Sequence, residues 1–159
     1  MKLFTDTLLD DLTSQASASP RGRAHHTIHA SAADPIQRFF VVANQGSYFR
    51  PHLHWTKAEL VVAVRGQFDI LIFDATGQIQ DRFPLGHGTP NVAYEMQPGT
   101  WHTLVTLKDG SSFLEVKQGP YDPAVAVDFA PWAPAEGSAE VPRFQDWLRT
   151  AEVGRIFKT

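Results

Sequence analysis

The stretch Gly46–Gly66, "GSYFRPHLHWTKAELVVAVRG", sets two histidines one residue apart and a glutamate five residues later, ahead of an apolar run. A solvent loop has no use for that grouping, and a packed core is destabilised by unpartnered polar side chains. Side chains alternate across an extended strand. Read as extended, residues 48–54 put Tyr48, Arg50, His52 and His54 on one face and Phe49 and Leu53 on the other. Imidazoles two residues apart on a strand stand about 7 Å apart and can converge on one ion. Glu59 lies beyond a short turn, where a neighbouring strand can bring its carboxylate alongside. Further on, "QPGTWHTLV" (97–105) places His102 near the start of another strand. Three imidazoles and one carboxylate suit Fe(II), Mn(II), Ni(II), Co(II) or Zn(II). Neutral His and ionised Glu are also the forms present at pH 7.

Outward from that stretch, residues 24–117 read as strands. "IQRFFVVAN" (36–44) is β-rich, and "ELVVAVRG" (59–66) is apolar enough to predict a strand buried on both faces. "QFDILIFDATGQIQDRF" (67–83) predicts two strands about a turn at "DATG". "DGS" at 109–111 predicts a hairpin between "WHTLVTL" and "SFLEVK". Residues 1–20 hold a helix over 3–16, with Phe4, Leu8, Leu9 and Leu12 as its apolar stripe, and a turn at Pro20. Residues 118–140 contain four prolines and predict an ordered arm, since Tyr121, Phe129 and Trp132 need packing partners. A second helix is predicted over 141–152, with Phe144, Trp147, Leu148 and Ala151 on one face and Gly154 closing it. The expectation is one mainly-β domain over 1–159, a sandwich or barrel with a short helix at each end.

Composition removes several function classes. The net charge of −3 leaves no basic excess for nucleic acid or a polybasic membrane contact. No apolar run approaches the ~20 residues that span a bilayer. With no cysteine, neither disulfides nor thiolate-bound zinc enter. The first 15 residues carry three aspartates where a signal peptide needs an unbroken apolar core, which predicts a cytoplasmic protein.

The order Gly46, five residues, His52, one residue, His54, four residues, Glu59, six residues, Gly66 resembles the first cupin motif. Gly99, two residues, His102 resembles the heart of the second, with Pro98 displaced and Thr106 where asparagine is usual. A narrower resemblance covers nearly the whole chain. "SPRGRAHHTIH", "PIQRFFVVANQGSYFRPHLHWTKAELVVAVRGQFDILIFDATG", "WHTLV", "FLEVKQGPYDP" and "FAPWAPAEG" are similar to the WbuC-type cupin fold metalloproteins, a family associated with bacterial surface-polysaccharide gene clusters. That resemblance implies a double-stranded β-helix, a jelly-roll barrel, with a metal held by His52, His54, Glu59 and His102. It supplies no substrate.

Other polar residues carry open readings. Arg50 reads either as a clamp for a substrate anion near the metal or as an arginine paired at the barrel mouth. Tyr48 reads as a substrate-orienting hydroxyl or a core aromatic. His29 shares a face with His25 by alternation and reads as a hydrogen-bonding group on the pocket wall, a second metal ligand, or an edge-strand residue. Glu115 and Lys117 alternate with Phe113, as an ion pair or as cavity lining. An octahedral ion with four protein ligands keeps two positions open. The leading expectation is therefore a metal-dependent enzyme on a small polar molecule, with the resemblance favouring a sugar derivative or nucleotide-sugar. The reaction classes are isomerisation, epimerisation, lyase chemistry or dioxygenation. The alternatives are a non-catalytic module that binds a saccharide or organic acid, and a metal-free isomerase. The expected partners are a small molecule and a second copy in a homodimer, with no nucleic acid or membrane.

Overall fold

The described residues build ten strands and two helices. The computed structural model describes residues 1–158. In chain order the elements are α1 (Asp6–Ala18), β1 (Arg23–Thr27), β2 (Ile36–Ala43), β3 (His52–Leu53), β4 (Glu59–Arg65), β5 (Gln67–Phe73), β6 (Ile79–Gly86), β7 (Ala93–Met96), β8 (Trp101–Thr106), β9 (Ser111–Gln118), β10 (Asp128–Phe129) and α2 (Val141–Thr150). They form two five-stranded antiparallel sheets, one ordered β1-β2-β9-β4-β7 and the other β10-β3-β8-β5-β6. This is a jelly roll with two short helices outside it.

Strand register arranges the interior in rows. Across the first sheet, Gln37, Lys117, Glu59 and Met96 stand abreast, followed by Phe39, Glu115, Val61 and Tyr94, then by Val41, Phe113 and Ala63. Across the second, His52, His102 and Ile72 form one row, and Leu104 and Ile70 the next. One end of the space between the sheets is therefore closed by Val61, Phe68, Ile70, Leu85, Leu104 and Phe113. The other end carries the polar row of each sheet.

The helices cover different outer surfaces. Leu9, Leu12 and Ala16 of α1 bury against Val42, with Ala24 and Phe40 beside them. Each leucine contributes about 2 kcal/mol by that burial. On the second sheet, Phe144 and Leu148 of α2 close over Leu71, Phe73 and Val105. Trp132, on the segment between β9 and α2, packs on Phe73 at 4.9 Å between ring centroids. The strand buried on both faces is consequently β5, with Phe68 and Ile70 inward and Leu71 and Phe73 beneath α2. In β4 the inner residues Glu59 and Val61 are buried, but Leu60 and Val62 are only partly covered and Val64 is exposed. The helix α1 lies over β1 and β2 and meets β4 at its last residue, Arg65, which pairs with Asp6 and Asp10.

The turn at 109–111 also departs from the sequence expectation. It joins β8 of one sheet to β9 of the other, so it is a crossing between sheets and not a hairpin. A second crossing, β4 to β5 at Gly66, packs directly on it: Gln67 N–H donates to Ser111 Oγ at 3.2 Å. Gly66 has φ +68°, and a methyl group added there would overlap Ser111. Helix α2 ends at Thr150, and Gly154, at φ +85°, turns the chain so that its N–H bonds Ile79 O. Among the described residues no helix is long and apolar enough to cross a membrane.

Candidate metal centre

His52 in β3 pairs directly with His102 in β8, which brings their rings to 4.5 Å between centroids. His54 follows β3, and its carbonyl accepts the Gly99 N–H at 2.8 Å, tying it to the turn that leads into β8. Its ring lies 5.2 Å from that of His52. The facing sheet supplies Glu59 at the start of β4. Its Oε2 lies 2.9 Å from His54 Nε2, and its Oε1 lies 3.9 Å from His102 Nε2. One ligand atom from each of the four side chains falls within 4.8 Å of every other. An ion with bonds of ~2.1 Å sets neighbouring ligands ~3 Å apart and opposite ligands ~4.2 Å apart, so the set is close to what one cation needs.

The hydrogen bonds behind the rings make the same case. Nδ1 of His52, His54 and His102 lies 2.9, 2.6 and 2.8 Å from the carbonyls of Arg50, Ala126 and Thr100. A carbonyl only accepts, so each Nδ1 donates, and each Nε2 is turned toward the centre as metal-bound histidines require. His102 Nε2 is buried with no partner. His54 would need a second proton to satisfy Glu59 as well as Ala126, and a cation takes that place without one. These residues fit a divalent transition ion.

Charge is distributed to suit. Burial, then the neighbouring His102, pushes His52 down to about 3, and burial lowers His102 as well. Burial works against ionisation of Glu59, but the His54 hydrogen bond and the charges of Lys117 and His102 outweigh it and hold the carboxyl well below its usual range. Lys117 Nζ lies 3.7 Å from Glu59 Oε2 and 2.6 Å from Glu115 Oε1. Burial opposes its charge, yet Glu115 and Glu59 raise its pKa. Burial and then the Glu59 charge push Glu115 up. Tyr94 is raised by burial and by the same two carboxylates, and stays a neutral hydroxyl.

His52, Glu59 and His102 form the floor of a cavity of about 280 Å³, with Tyr94, Glu115 and Lys117 in its wall. His54 is buried behind them. Tyr48 and Arg50 do not line this cavity. Tyr48 is packed in the core beneath α2 and donates its hydroxyl to Pro134 O at 2.9 Å. Arg50 bonds Ala130 O at 3.0 Å and lies over the Phe129 ring. Side chains alternate only along continuous extended strand, and β3 begins only at His52. His25 lines the cavity, and His29 lines an adjoining groove. His26 points the other way, against Phe4. His87 is an exposed loop residue. Two contributors escape sequence reading: the Ala126 carbonyl, a backbone group distant in sequence from the motif, and Tyr94, whose alternation with Met96 reads only as core packing.

A family model described as a domain of unknown function, DUF6016, matches residues 4–85. The chain belongs to the DUF6016 family. The matched span takes in His52, His54 and Glu59 of the DUF6016 centre and ends before His102. No curated protein matches the chain. Among solved structures, this DUF6016 protein is similar to a recombinant oxalate oxidase in complex with glycolate, with TM-score 0.53, 15% identity, and coverage of 84% of this chain and 69% of that one. It is also similar to Bacillus subtilis oxalate decarboxylase, with TM-score 0.50 and 17% identity over 67% of this chain, although the match spans only 27% of the decarboxylase. A conserved Streptococcus pyogenes protein of unknown function gives TM-score 0.50 and 15% identity, with coverage of 65% and 80%. Likeness at these identities is one of fold: the DUF6016 chain has the cupin architecture, and its histidine–glutamate cluster is a candidate metal site within it.

Proposed function

We propose that this chain is a metal-dependent enzyme acting on a small, oxygen-rich substrate, with one divalent ion held by His52, His54, Glu59 and His102. One observation carries the reading. The four donors cluster together, three of them on the floor of an open cavity whose wall holds the Lys117–Glu115 pair and the Tyr94 hydroxyl. A purely structural ion needs no such chamber. When bound, the ion supplies Lewis acidity and two positions for substrate oxygens.

The chain's own residues do the rest. Lys117, held between Glu59 and Glu115, is placed to donate a hydrogen bond to a substrate oxygen. The hydroxyl of Tyr94, neutral at pH 7, orients a second oxygen. Glu115 faces the cavity with its carboxyl biased toward the protonated form, and is the group we assign as proton carrier. The apolar rows of Phe39, Val41 and Phe113 exclude water from the far wall. A cavity of about 280 Å³ suits one sugar-sized unit. The resemblance to WbuC-type cupins supports a sugar derivative from surface-polysaccharide metabolism as the substrate class.

Elemental analysis of the purified protein, paired with a thermal-shift screen of sugar derivatives and nucleotide-sugars, tests the proposal. The expected result is about one transition ion per chain and a ligand that is turned over, with turnover lost on chelation and restored by one ion. A ligand that raises the melting temperature and never yields product makes the chain a binding module instead.

A further inference from the structure

Beside the metal cavity lies a groove of about 350 Å³ that the chemistry above does not use. The two share His25, Phe39 and Tyr121 in their linings and therefore adjoin. Their linings differ in kind. The cavity includes Arg21, Arg23, Glu59, Glu115 and Lys117, whereas no Asp, Glu, Lys or Arg lines the groove. Its polar groups are the hydroxyls of Thr27, Ser31 and Tyr121, the Gln37 amide and the imidazoles of His25 and His29, set around the rings of Phe39 and Tyr121.

His29 is the built part of this groove. It is only 8% exposed, and its ring stands edge-on to Phe39 at 4.8 Å. Its Nδ1 lies 3.0 Å from Arg38 N and 3.1 Å from Arg38 O. An amide N–H can only donate, so Nδ1 accepts from Arg38 N–H, while the Arg38 carbonyl takes the Ile28 N–H at 2.9 Å. A ring whose Nδ1 accepts carries its hydrogen on Nε2. No residue among those described accepts that hydrogen, and His29 is part of the groove lining. A donor so placed is satisfied by water or by a ligand acceptor.

We infer that the groove is a second ligand subsite, one that binds an uncharged pyranose ring belonging to a molecule whose other end reaches the metal cavity. Three features select this chemistry. The rings of Phe39 and Tyr121 offer apolar faces to the C–H face of a pyranose. The hydroxyls and imidazoles pair with sugar hydroxyls as donors and acceptors. No cationic side chain is present to hold a phosphate or carboxylate, which charge-assisted donors would serve. The connection to the metal cavity rests on the proposed function; the subsite itself does not.

Saturation-transfer NMR of the full chain tests it, using the methyl glycosides of glucose, galactose, mannose, rhamnose and N-acetylglucosamine. Spectra are taken on protein as purified and after EDTA treatment. At least one glycoside gives a transfer signal in both samples, and sodium phosphate does not compete with it. Tyr121→Ala, a change at a side chain 47% exposed, weakens that glycoside about tenfold. His29→Phe keeps the ring, removes the donor, and gives a similar loss. Silence from all five glycosides, competition by phosphate, or a signal unchanged in Tyr121→Ala overturns the subsite. Failure of the metal reading shows separately, as the absence of a bound ion on elemental analysis with the glycoside signal intact.

Discussion

The two sheets have the same number of strands and the same antiparallel pairing, yet they face their shared interior with different chemistry. The β10-β3-β8-β5-β6 sheet presents three imidazoles, each steered by a backbone carbonyl behind it. The β1-β2-β9-β4-β7 sheet presents Glu59, Glu115 and Lys117, which steer one another. Backbone carbonyls are fixed by the strands and turns that carry them, so the imidazole set is held by the fold itself. The charged trio depends on its own balance, with two carboxylates sharing one ammonium in a poorly solvated space. Nitrogen donors on one wall and charge on the other let a cation sit between them without protonating its ligands.

Removing a donor from the imidazole wall breaks the comparison most severely. His102→Ala deletes one of four ligands and is expected to weaken metal binding about 10²–10³-fold, read by competition with a chromophoric chelator. Retention of wild-type affinity would place the ion elsewhere. On the charged wall, Lys117→Met leaves Glu59 and Glu115 facing each other without a cation. Metal-free protein should lose about 3 kcal/mol in urea denaturation, and added metal should recover part of it. A loss that metal does not reduce would mean that Lys117 serves packing alone. The joint between the walls comes next. Gly66→Ala imposes a strained φ and crowds Ser111 where the two crossings meet, and is expected to cost about 2 kcal/mol with metal stoichiometry unchanged.

The same contrast explains what the sequence disclosed. The imidazole wall was legible because His52 and His54 share a face by local alternation, and the spacing to Glu59 and His102 matches a known motif. The charged wall was only half legible. Alternation gave Glu115 and Lys117 a common face, but the neighbour of that face is set by the pairing of β9 with β4, which no local pattern encodes. For the same reason "DGS" read as a hairpin: a turn signal does not say whether the next strand folds back or crosses to the other sheet. The apolar run in β4 could not reveal that α1 packs on β1 and β2 and meets β4 at Arg65. Tyr48 and Arg50 fell outside the alternation because residues 48–51 are not strand.

Acid separates His52 from Glu59 by pH window. His52 has a folded pKa of about 3, against an ordinary histidine value near 6.5. The unfolded chain therefore takes up the proton first. The stability this residue contributes is fully present above pH ~6.5 and declines as pH falls toward 3. One unit below the ordinary value, near pH 5.5, the decline is about 1.4 kcal/mol for His52, and His102, lowered by burial, acts in the same direction. Glu59 has its carboxyl held low, so its contribution persists until pH drops below ~4.3 and is lost only under that. Urea denaturation of metal-free protein between pH 7.5 and 5 thus reports on His52 and His102 and not on Glu59. His52→Gln should flatten that slope by about one proton, while Glu59→Gln should leave the slope above pH 5 nearly as it was. Equal flattening by both changes would mean that the walls titrate as one coupled unit, and the division between neutral donors and self-balanced charge would fail.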